Sequence, residues 1–444
     1  MLNKLWFLIF LFLISCDSSD ITVKNNKSNN NLSNKFSNIL DETFANSGTL
    51  LLSDATENKV IKSSVIDSSG NIYLAGHTQL ISTGLKTLSV WKVDNTGSVD
   101  TSFATGGRYV YEGSSNDEDS EALDIKLDSN QRPIVSGFTE DSNRARTLAI
   151  RLTTSGSLDT TFGSSGYYIY THPNAGTSEG ERARCLDIDS SGNIYLGGQG
   201  YFNNDKSLKV WKLALDGSLD TSFATSGLWN SHGLGGGGGA DKIIDCKIHN
   251  NSLIIAGYTW GGSSAGKHKA FIGKISLSGV VDTSFADNGF AILDDLAGSA
   301  NQNDLIDSLT ITNSGIIYVS GRSSNGVDND AFIYSIGIDG NESNSSLSIY
   351  NDVLNNPGSD NIYDIKYLES DESLIVCGSS LGDNSVSVGF VGKIKENNLN
   401  ITKEYEDLNG NSSLNSISLF QNNVYVSGSQ SNVSSKSLVL SKFK

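Results

Sequence analysis

The sequence predicts an all-β protein, a seven-bladed β-propeller in which each blade has four strands. Three observations lead to this prediction. A short apolar run that ends in glycine occurs seven times, with the glycines roughly sixty residues apart. An Asp-x-x-Phe-x-x-x-Gly phrase occurs five times, and the 444 residues include only 3 prolines. Val, Ile, Tyr, Thr and Ser dominate the repeats, as they do in short strands and tight turns.

Seven glycines define the repeat units. They are Gly76, Gly137, Gly198, Gly257, Gly321, Gly378 and Gly428. The second unit illustrates the four strand-like runs, which are Ala122–Asp128, Pro133–Thr139, Thr147–Thr153 and Leu158–Tyr170. Turn signals such as "DSNQ" and "TTSG" separate these runs, as expected for antiparallel strands within one blade. A solenoid would also repeat, but it needs capping units at its ends.

The two ends of the repeat region predict that the ring closes. Leu40–Leu52 reads as a fourth strand with no earlier strands, and Ser437–Lys444 reads as a third strand with no fourth. We expect Leu40–Leu52 to pair with Ser437–Phe443 and complete the seventh blade. This pairing removes two exposed sheet edges, which would otherwise favour aggregation. The predicted propeller domain is residues 39–444, a monomeric ring.

The repeated phrase has a physical interpretation. Its aspartate and hydroxyl can bond backbone N–H groups of a turn, its phenylalanine can fill the gap between blades, and its glycine can adopt a positive φ. The phrases are Asp41–Gly48, Asp100–Gly107, Asp159–Gly166, Asp220–Gly227 and Asp282–Gly289. A basic residue in each third strand should pair with a phrase aspartate. The predicted pairs are Lys92–Asp100, Arg151–Asp159, Lys212–Asp220, Lys274–Asp282 and, across the ring closure, Lys442–Asp41. Near the surface each pair should contribute under about 1 kcal/mol.

The N-terminus reads "MLNKLWFLIFLFLISC", in which Lys4 precedes an apolar run from Leu5 to Ile14. The run is too short for a resident transmembrane helix, and its ending at Ser15-Cys16 resembles the lipobox of bacterial lipoproteins. That resemblance implies a signal peptide at residues 1–15, lipidation of Cys16, attachment to a membrane and location in the bacterial cell envelope. An ordinary signal peptide or a buried strand are the alternatives. Residues 16–38 are Ser/Asn-rich and predict a disordered tether.

The phrase and its period resemble the bacterial "delta-60" repeat, a propeller repeat similar to the NHL type. The resemblance covers about residues 39–444 and is strongest in the first four units. Units five and six carry "GNESNSSLSIYNDVL" and "NLNITKEYEDLNG" where the phrase would stand. The resemblance implies the fold of the chain and leaves its molecular role open.

Charge and cysteine content narrow the function classes. The net charge of −17 repels phosphate backbones and argues against nucleic-acid binding. Cys185, Cys246 and Cys377 lie in strand-like apolar runs, are odd in number and match no zinc spacing. We therefore expect three buried free thiols and no disulfide.

The innermost strands carry the candidate binding residues. Asp124, Asp245 and Asp364 occupy equivalent positions in units two, four and six, and each is followed two residues later by a lysine. If that strand face borders the central channel, the three carboxylates converge on an acidic ring suited to a ligand or a cation such as calcium. In the alternative interpretation, each carboxylate bonds backbone groups of the next blade. The sequence singles out no catalytic residue, metal-ligand set or required cofactor.

The expected function is that of a non-enzymatic binding or scaffolding module for a protein or glycan partner. A hydrolase or lyase acting at the channel mouth is one alternative, and a structural component of an envelope assembly is another. Trp229, Trp260 and Tyr258 lie near blade loops, where they either stack on a sugar or peptide or pack among the outer strands.

Overall fold

The computed structural model describes residues 23–25, 40–111, 113, 118–141, 144–171, 180–202, 205–261, 267–298, 302–351, 353, 358–381, 386–395, 401–407, 411–431 and 435–443. These residues form seven antiparallel blades arranged in a ring, as the sequence predicts. Each blade has four strands, which follow one another from the central channel to the outer rim. Cys16 and residues 1–15 lie outside the described residues, so the lipobox remains a prediction.

The first four blades consist of consecutive strands. They are β3 (Glu57–Ile66), β4 (Ile72–Leu80), β5 (Lys86–Val93) and β6 (Arg108–Tyr111); β7 (Ser120–Leu127), β8 (Pro133–Asp141), β9 (Arg144–Arg151) and β10 (Tyr167–Tyr170); β11 (Arg182–Ile188), β12 (Ile194–Phe202), β13 (Asp205–Leu213) and β14 (Leu228–Ser231); and β15 (Lys242–His249), β16 (Ser252–Trp260), β17 (His268–Ser276) and β18 (Phe290–Leu293).

The last three blades use both ends of the chain. They are β19 (Asp304–Ile311), β20 (Ile316–Ser324), β21 (Asn329–Gly337) and β22 (Ser346–Tyr350); β23 (Asp360–Leu368), β24 (Ser373–Leu381), β25 (Ser387–Lys395) and β26 (Ile401–Asp407); and β27 (Asn411–Phe420), β28 (Asn423–Ser431), β29 (Lys436–Phe443) and β2 (Thr49–Leu52). A short strand, β1 (Val23–Asn25), lies parallel to β22 within the segment predicted as a tether. Short 3-10 turns occur at Glu342–Asn344 and Glu369–Asp371.

The N-terminal strand completes the seventh blade, which confirms the predicted closure. β2 pairs antiparallel with β29, and Leu40 forms a further bridge with Phe443. The Thr49 and Ser441 hydroxyls lie 3.0 Å apart, and Lys442 Nζ lies 2.8 Å from Asp41 Oδ2. The Lys442 and Thr43 side chains together lower the pKa of Asp41 to about 2. Backbone, hydroxyl and charge contacts therefore all act at this closure.

The phrase phenylalanines fill the spaces between blades, as predicted. Phe44, Phe103, Phe162, Phe223 and Phe285 are each at most 1% exposed. Three of them meet tyrosines edge to face, with ring centroids 5.8 Å apart for Phe44 and Tyr425, 5.7 Å for Phe103 and Tyr73, and 5.9 Å for Phe223 and Tyr195. Each cluster of buried residues spans two neighbouring blades. Burying one such ring contributes about 2–3 kcal/mol, so the phrase mainly joins blades.

The phrase glycine closes a tight turn. Gly166 has φ 108°, and a Cβ added there would lie 2.2 Å from Leu158 Cγ. Blade 5 lacks the phrase, but a side-chain oxygen still accepts hydrogen bonds from the backbone and from a hydroxyl in its turn. Asn341 Oδ1 accepts from Ser343 N at 3.0 Å and from Ser343 Oγ at 2.7 Å. An amide thus replaces the aspartate, a substitution that a search for Asp-x-x-Phe misses.

All five predicted ion pairs form, four across hairpins and one across the ring closure, with the following separations. They are 3.1 Å for Lys92–Asp100, 2.8 Å for Arg151–Asp159, 2.9 Å for Lys212–Asp220, 3.0 Å for Lys274–Asp282 and 2.8 Å for Lys442–Asp41. Arg151 differs from the expected surface position, because it is only 3% exposed and also donates to Leu215 O at 2.6 Å.

The ring has two chemically different ends. Because the strands alternate in direction, the links between first and second strands and between third and fourth strands share one end, which also carries the repeated phrase. We call it the phrase face. The opposite end, the loop face, carries the links between second and third strands and between successive blades.

Within the described residues, no helix is long and apolar enough to span a bilayer.

Candidate functional site

Every innermost strand has a β-bulge at the same point. The register shifts lie between Ile61 and Ser63 in blade 1 and between Ala122 and Asp124 in blade 2, and the other five blades repeat the pattern. The repeated glycine of the second strand makes the bulge possible, since a Cβ on Gly76 would lie 1.9 Å from Val60 O. A glycine is therefore required where the bulged backbone approaches so closely.

The bulge places one extra residue per blade at the channel. We call this set the mouth ring, and it consists of Lys62, Leu123, Arg184, Ile244, Asp307, Tyr363 and Asn415. These seven residues line both an outer cavity of about 470 Å³ and an inner cavity of about 110 Å³. Val60, Ser413, Ser429 and Lys436 complete the outer cavity. Since these residues lie in the loop-face halves of their strands, the outer cavity belongs to that face.

Positive charge collects on one side of the outer cavity. Lys62 and Lys436 are exposed within it, and Arg184 Nε donates to Gln199 Oε1 at 3.0 Å. Partial desolvation lowers the pKa of Lys62; Glu121 opposes this, and the nearby Lys86, Arg184 and Lys436 cations add to the decrease. Lys62 therefore lies near three other cationic side chains and one opposing carboxylate, that of Glu121.

The opposite side of the mouth ring carries Asp307. Arg322 Nη1 donates to Asp307 Oδ2 and forms an ion pair with it. Burial raises the pKa of Asp307 to about 6 even though Arg322 acts in the other direction. Next to it in the ring, the Tyr363 hydroxyl lies 3.0 Å from Ser379 Oγ.

The three predicted ligand-binding carboxylates line the inner cavity, and they also join blades. Asp124 Oδ2 accepts from Leu186 N at 3.0 Å, Asp245 Oδ2 from Leu309 N at 2.8 Å, and Asp364 Oδ2 from Ile417 N at 2.7 Å. In each case the donor belongs to the next blade. The interpretation as blade-to-blade hydrogen bonds is therefore correct, and ligand or calcium binding by these aspartates remains a prediction.

The lysines beside these carboxylates neutralise two of them. Lys126 Nζ lies 2.9 Å from Asp124 Oδ2, and Lys366 Nζ lies 2.5 Å from Asp364 Oδ1. Burial raises the pKa of Asp245. The Ser308 hydroxyl lies 3.0 Å from Asp245 Oδ2 and 2.8 Å from Asp364 Oδ1, although it has one hydrogen to donate. A proton on Asp245 would satisfy both contacts, because Asp245 would then donate to Ser308.

Related bonds occur at other blade boundaries. Ser416 Oγ accepts from Ser64 N at 3.0 Å, and Asp187 Oδ2 accepts from Ile248 N at 2.7 Å. We call such a side-chain-to-backbone bond between neighbouring innermost strands an inter-blade clamp. Asp187 was not recognised in the sequence because it stands two residues after the position of Asp124. The clamps satisfy backbone donors that would otherwise face the channel without a partner.

A disulfide joins blades 3 and 4, so the expectation of three free thiols is wrong. Cys185 occupies the clamp position of β11, and Cys246 occupies the position in β15 equivalent to the Leu186 donor. The two residues are bonded, with Cα atoms 5.8 Å apart and a sequence separation of 61. Cys246 stands one residue after Asp245, the residue equivalent to Cys185, and the two cysteines lie on adjacent innermost strands at a distance that a disulfide spans. Among the described cysteines, Cys377 is the one that is free, and it is buried.

The aromatic residues considered for ligand stacking pack against other side chains, Trp229 on a residue of the next blade and Trp260 and Tyr258 within blade 4. Trp229 is 7% exposed and stacks on Phe290 with centroids 6.5 Å apart. Trp260 and Tyr258 both meet the His268 ring edge to face, at 5.0 Å and 4.9 Å. These contacts agree with the packing interpretation.

A carboxylate cluster lies at Asp294, Asp295 and Asp304 on the loop face, with oxygens close enough to share a cation. Lys267 Nζ already lies 2.7 Å from Asp294 Oδ1 and 3.1 Å from Asp295 Oδ1. Asp304 accepts from Ser323 Oγ at 2.5 Å, and burial raises its pKa to about 6. Lysine and hydroxyl contacts therefore account for these carboxylates.

Comparison with known proteins supports the repeat architecture. A family described as "Domain of unknown function (DUF5122) beta-propeller" matches residues 134–162 and 190–223. A search of curated proteins found no match. Among solved structures, the WD40 β-propeller domain of Doa1 aligns at 16% identity and TM-score 0.45, covering 88% of this chain and 95% of that one. The polysaccharide lyase Uly1 aligns at 10% identity and TM-score 0.49, covering 86% and 89%.

The matched family segments fall in blades 2 and 3, where they include the second strands and the repeated phrase. The two structural alignments are too distant to carry an argument about ligand or activity. Together with the seven four-stranded blades, the family match identifies the chain as a β-propeller repeat protein.

Proposed function

We propose that this protein is a non-enzymatic binding module that holds a protein or glycan partner at the mouth ring on its loop face. The observation that carries the proposal is the diversity of the mouth ring. Equivalent positions in the seven blades hold Lys, Leu, Arg, Ile, Asp, Tyr and Asn. The surrounding framework instead repeats its glycine, phenylalanine and ion pair from blade to blade.

This contrast suggests that the repeated residues serve the fold, whereas the variable residues of the mouth ring serve binding. Every blade must form the bulge, so its glycine recurs, but the bulged side chain extends into the channel and has no common packing role. Seven different side chains around one cavity give a chemically asymmetric surface, which discrimination of a ligand requires. Sites on propellers characteristically use this position at the end of the central channel.

The proposal is tested by filling the outer cavity with a larger side chain and measuring whether binding is lost. Leu123→Trp places a large ring at the mouth, and Leu215→Trp makes the same change at a residue of the phrase face that is 45% exposed. Binding is measured on an array of immobilised glycans and with envelope extracts passed over the immobilised protein. We expect Leu123→Trp to abolish binding that Leu215→Trp retains. Equal binding by both variants would place the site elsewhere.

One observation favours a channel-mouth hydrolase or lyase as the second candidate. Asp307 lines the cavity, and burial raises its pKa to about 6, in the range suited to a general acid or base. Turnover of a bound glycan by the wild-type chain, lost in Asp307→Asn, would support this alternative. Binding without turnover would favour the module. The third idea, an envelope structural component, needs a broad apolar patch, whereas the six large exposed apolar residues described here are spread over five blades.

We further propose that the chain is exported and held at a membrane by lipid on Cys16. The Cys185–Cys246 disulfide supports this, because such bonds persist in oxidising compartments outside the cytosol. Two or more acyl chains provide stable anchoring. Cys16→Ser should move the protein from the membrane fraction to the soluble fraction. Continued membrane fractionation of that variant would contradict lipidation at Cys16.

A further inference from the structure

The charge and shape of the mouth ring indicate a ligand class, and this inference rests on the proposed function. We propose that the outer cavity binds a sugar acid, either free or at the end of a glycan chain. Its carboxylate lies between Lys62 and Arg184, and its hydroxyl groups face Asp307, Tyr363 and Asn415.

The first step is the local charge. The chain as a whole has a net charge of −17, yet the outer cavity is lined by Lys62, Arg184 and Lys436 against the single carboxylate of Asp307. That carboxylate is itself paired with Arg322. A positive cavity attracts an anion, whereas the acidic surface around it repels one, so an anionic ligand is directed to the cavity. The ligand must therefore carry negative charge.

The second step is how the cations are presented. Gln199, which is 5% exposed, accepts from Arg184 Nε and so fixes the plane of the guanidinium. Lys62 lies two blades away in the ring, with Leu123 on the blade between them. A planar guanidinium and a flexible ammonium on either side of an apolar side chain suit a carboxylate joined to a carbon ring.

The third step is the polar arc formed by blades 5 to 7. Asn415 Nδ2 donates to Ile61 O at 2.8 Å, and Ser413 Oγ donates to Asn415 Oδ1 at 2.6 Å, so this amide is held in place. Tyr363 is held by its contact with Ser379. Carboxylate, amide and hydroxyl groups arranged together can exchange hydrogen bonds with several sugar hydroxyls. The volume of about 470 Å³ falls in the usual range for small-molecule sites.

The test is isothermal titration calorimetry on the chain from Asp17 onward, which keeps β1 and the closed ring. Glucuronate and galacturonate are compared with their neutral counterparts, glucose and galactose. We expect the acidic sugars alone to bind saturably, and Lys62→Met and Arg184→Met each to weaken binding by about tenfold to a hundredfold. Lys395→Met removes the same charge at the phrase-face end of β25 and should leave the affinity unchanged.

The possible failures are distinct. If neutral sugars bind as tightly as the acids and Leu123→Trp blocks them, the sugar-acid inference is wrong and the proposed function stands. If the acids bind but Lys62→Met and Arg184→Met bind equally well, the carboxylate lies elsewhere and the inference is again wrong. If neither acid binds, the inference fails, and the proposed function is decided by the Leu123→Trp and Leu215→Trp comparison on the array.

Discussion

Removing the Cys185–Cys246 disulfide should destabilise the ring by about 4 kcal/mol. The bond closes a loop with a sequence separation of 61, and the loop-closure entropy for that length gives this value at 25 °C. The variant is Cys185→Ala/Cys246→Ala, and its unfolding free energy is measured by urea titration. Cys377→Ala, which removes a buried thiol without removing a cross-link, is the matched control.

Two further measurements test the reasoning. The chain from Asp17 onward should show one reactive thiol after unfolding without reductant, since only Cys377 is unpaired. A second variant, Cys185→Asp/Cys246→Leu, copies the clamp of Asp124 and Leu186 and should recover about 1.5–3 kcal/mol through a charged hydrogen bond. Three reactive thiols would refute the disulfide. No recovery in the aspartate variant would refute the equivalence of disulfide and clamp.

Three other predictions concern buried groups. Desolvation lowers the pKa of His77 to about 4, so the contribution of this residue to stability is present above about pH 6.5 and is lost as pH falls through about 4. Urea titrations of His77→Gln should therefore show a flatter dependence of the unfolding free energy on pH across this window. A slope like that of the wild type would contradict this expectation. Glu181→Gln leaves Lys209, which is 2% exposed, without its partner carboxylate and should lower the unfolding free energy by about 3–5 kcal/mol. The double variant Glu181→Leu/Lys209→Met should lose less stability than either single change. Additive losses would show that the two residues are not coupled. Gly137→Ala puts a Cβ 1.9 Å from a backbone oxygen, whereas a Cβ at Gly84 has no atom within 4 Å. The melting temperature of the Gly137→Ala variant should therefore fall further than that of the Gly84→Ala variant. Equal decreases would argue against a steric role for Gly137.

The fold was predictable because its determinants repeat. A phenylalanine such as Phe103 and a glycine such as Gly107 recur with their neighbours, and each occurrence supports the others. Closure was predictable because Leu40–Leu52 and Ser437–Phe443 are each incomplete alone. The turn in blade 5 was missed because Asn341 supplies the same acceptor from a different residue type.

The candidate site was only partly predictable. Period-two alternation puts Asp124 and Lys126 on one strand face but leaves Leu123 on the other, whereas the bulge brings Leu123 to the channel as well. The signal was present in the recurrent Gly137, whose missing Cβ makes room for the bulge. The disulfide was missed because Cys185 and Cys246 do not occupy the same position in the repeat, and pairing becomes evident only when the strands are adjacent.

Closure by the N-terminal strand also determines the order of events during synthesis. β2 leaves the ribosome first among the ring strands, but its partner β29 is made last, and Thr49 and Ser441 are 392 residues apart. Six blades can assemble from neighbouring segments while β2 waits without a partner. The ring can close only in a full-length chain, because only that chain contains the final strand, which pairs with β2. A chain truncated before Lys436 would retain an open gap between its first and last blades, and its unpaired β2 would distinguish it from the finished protein.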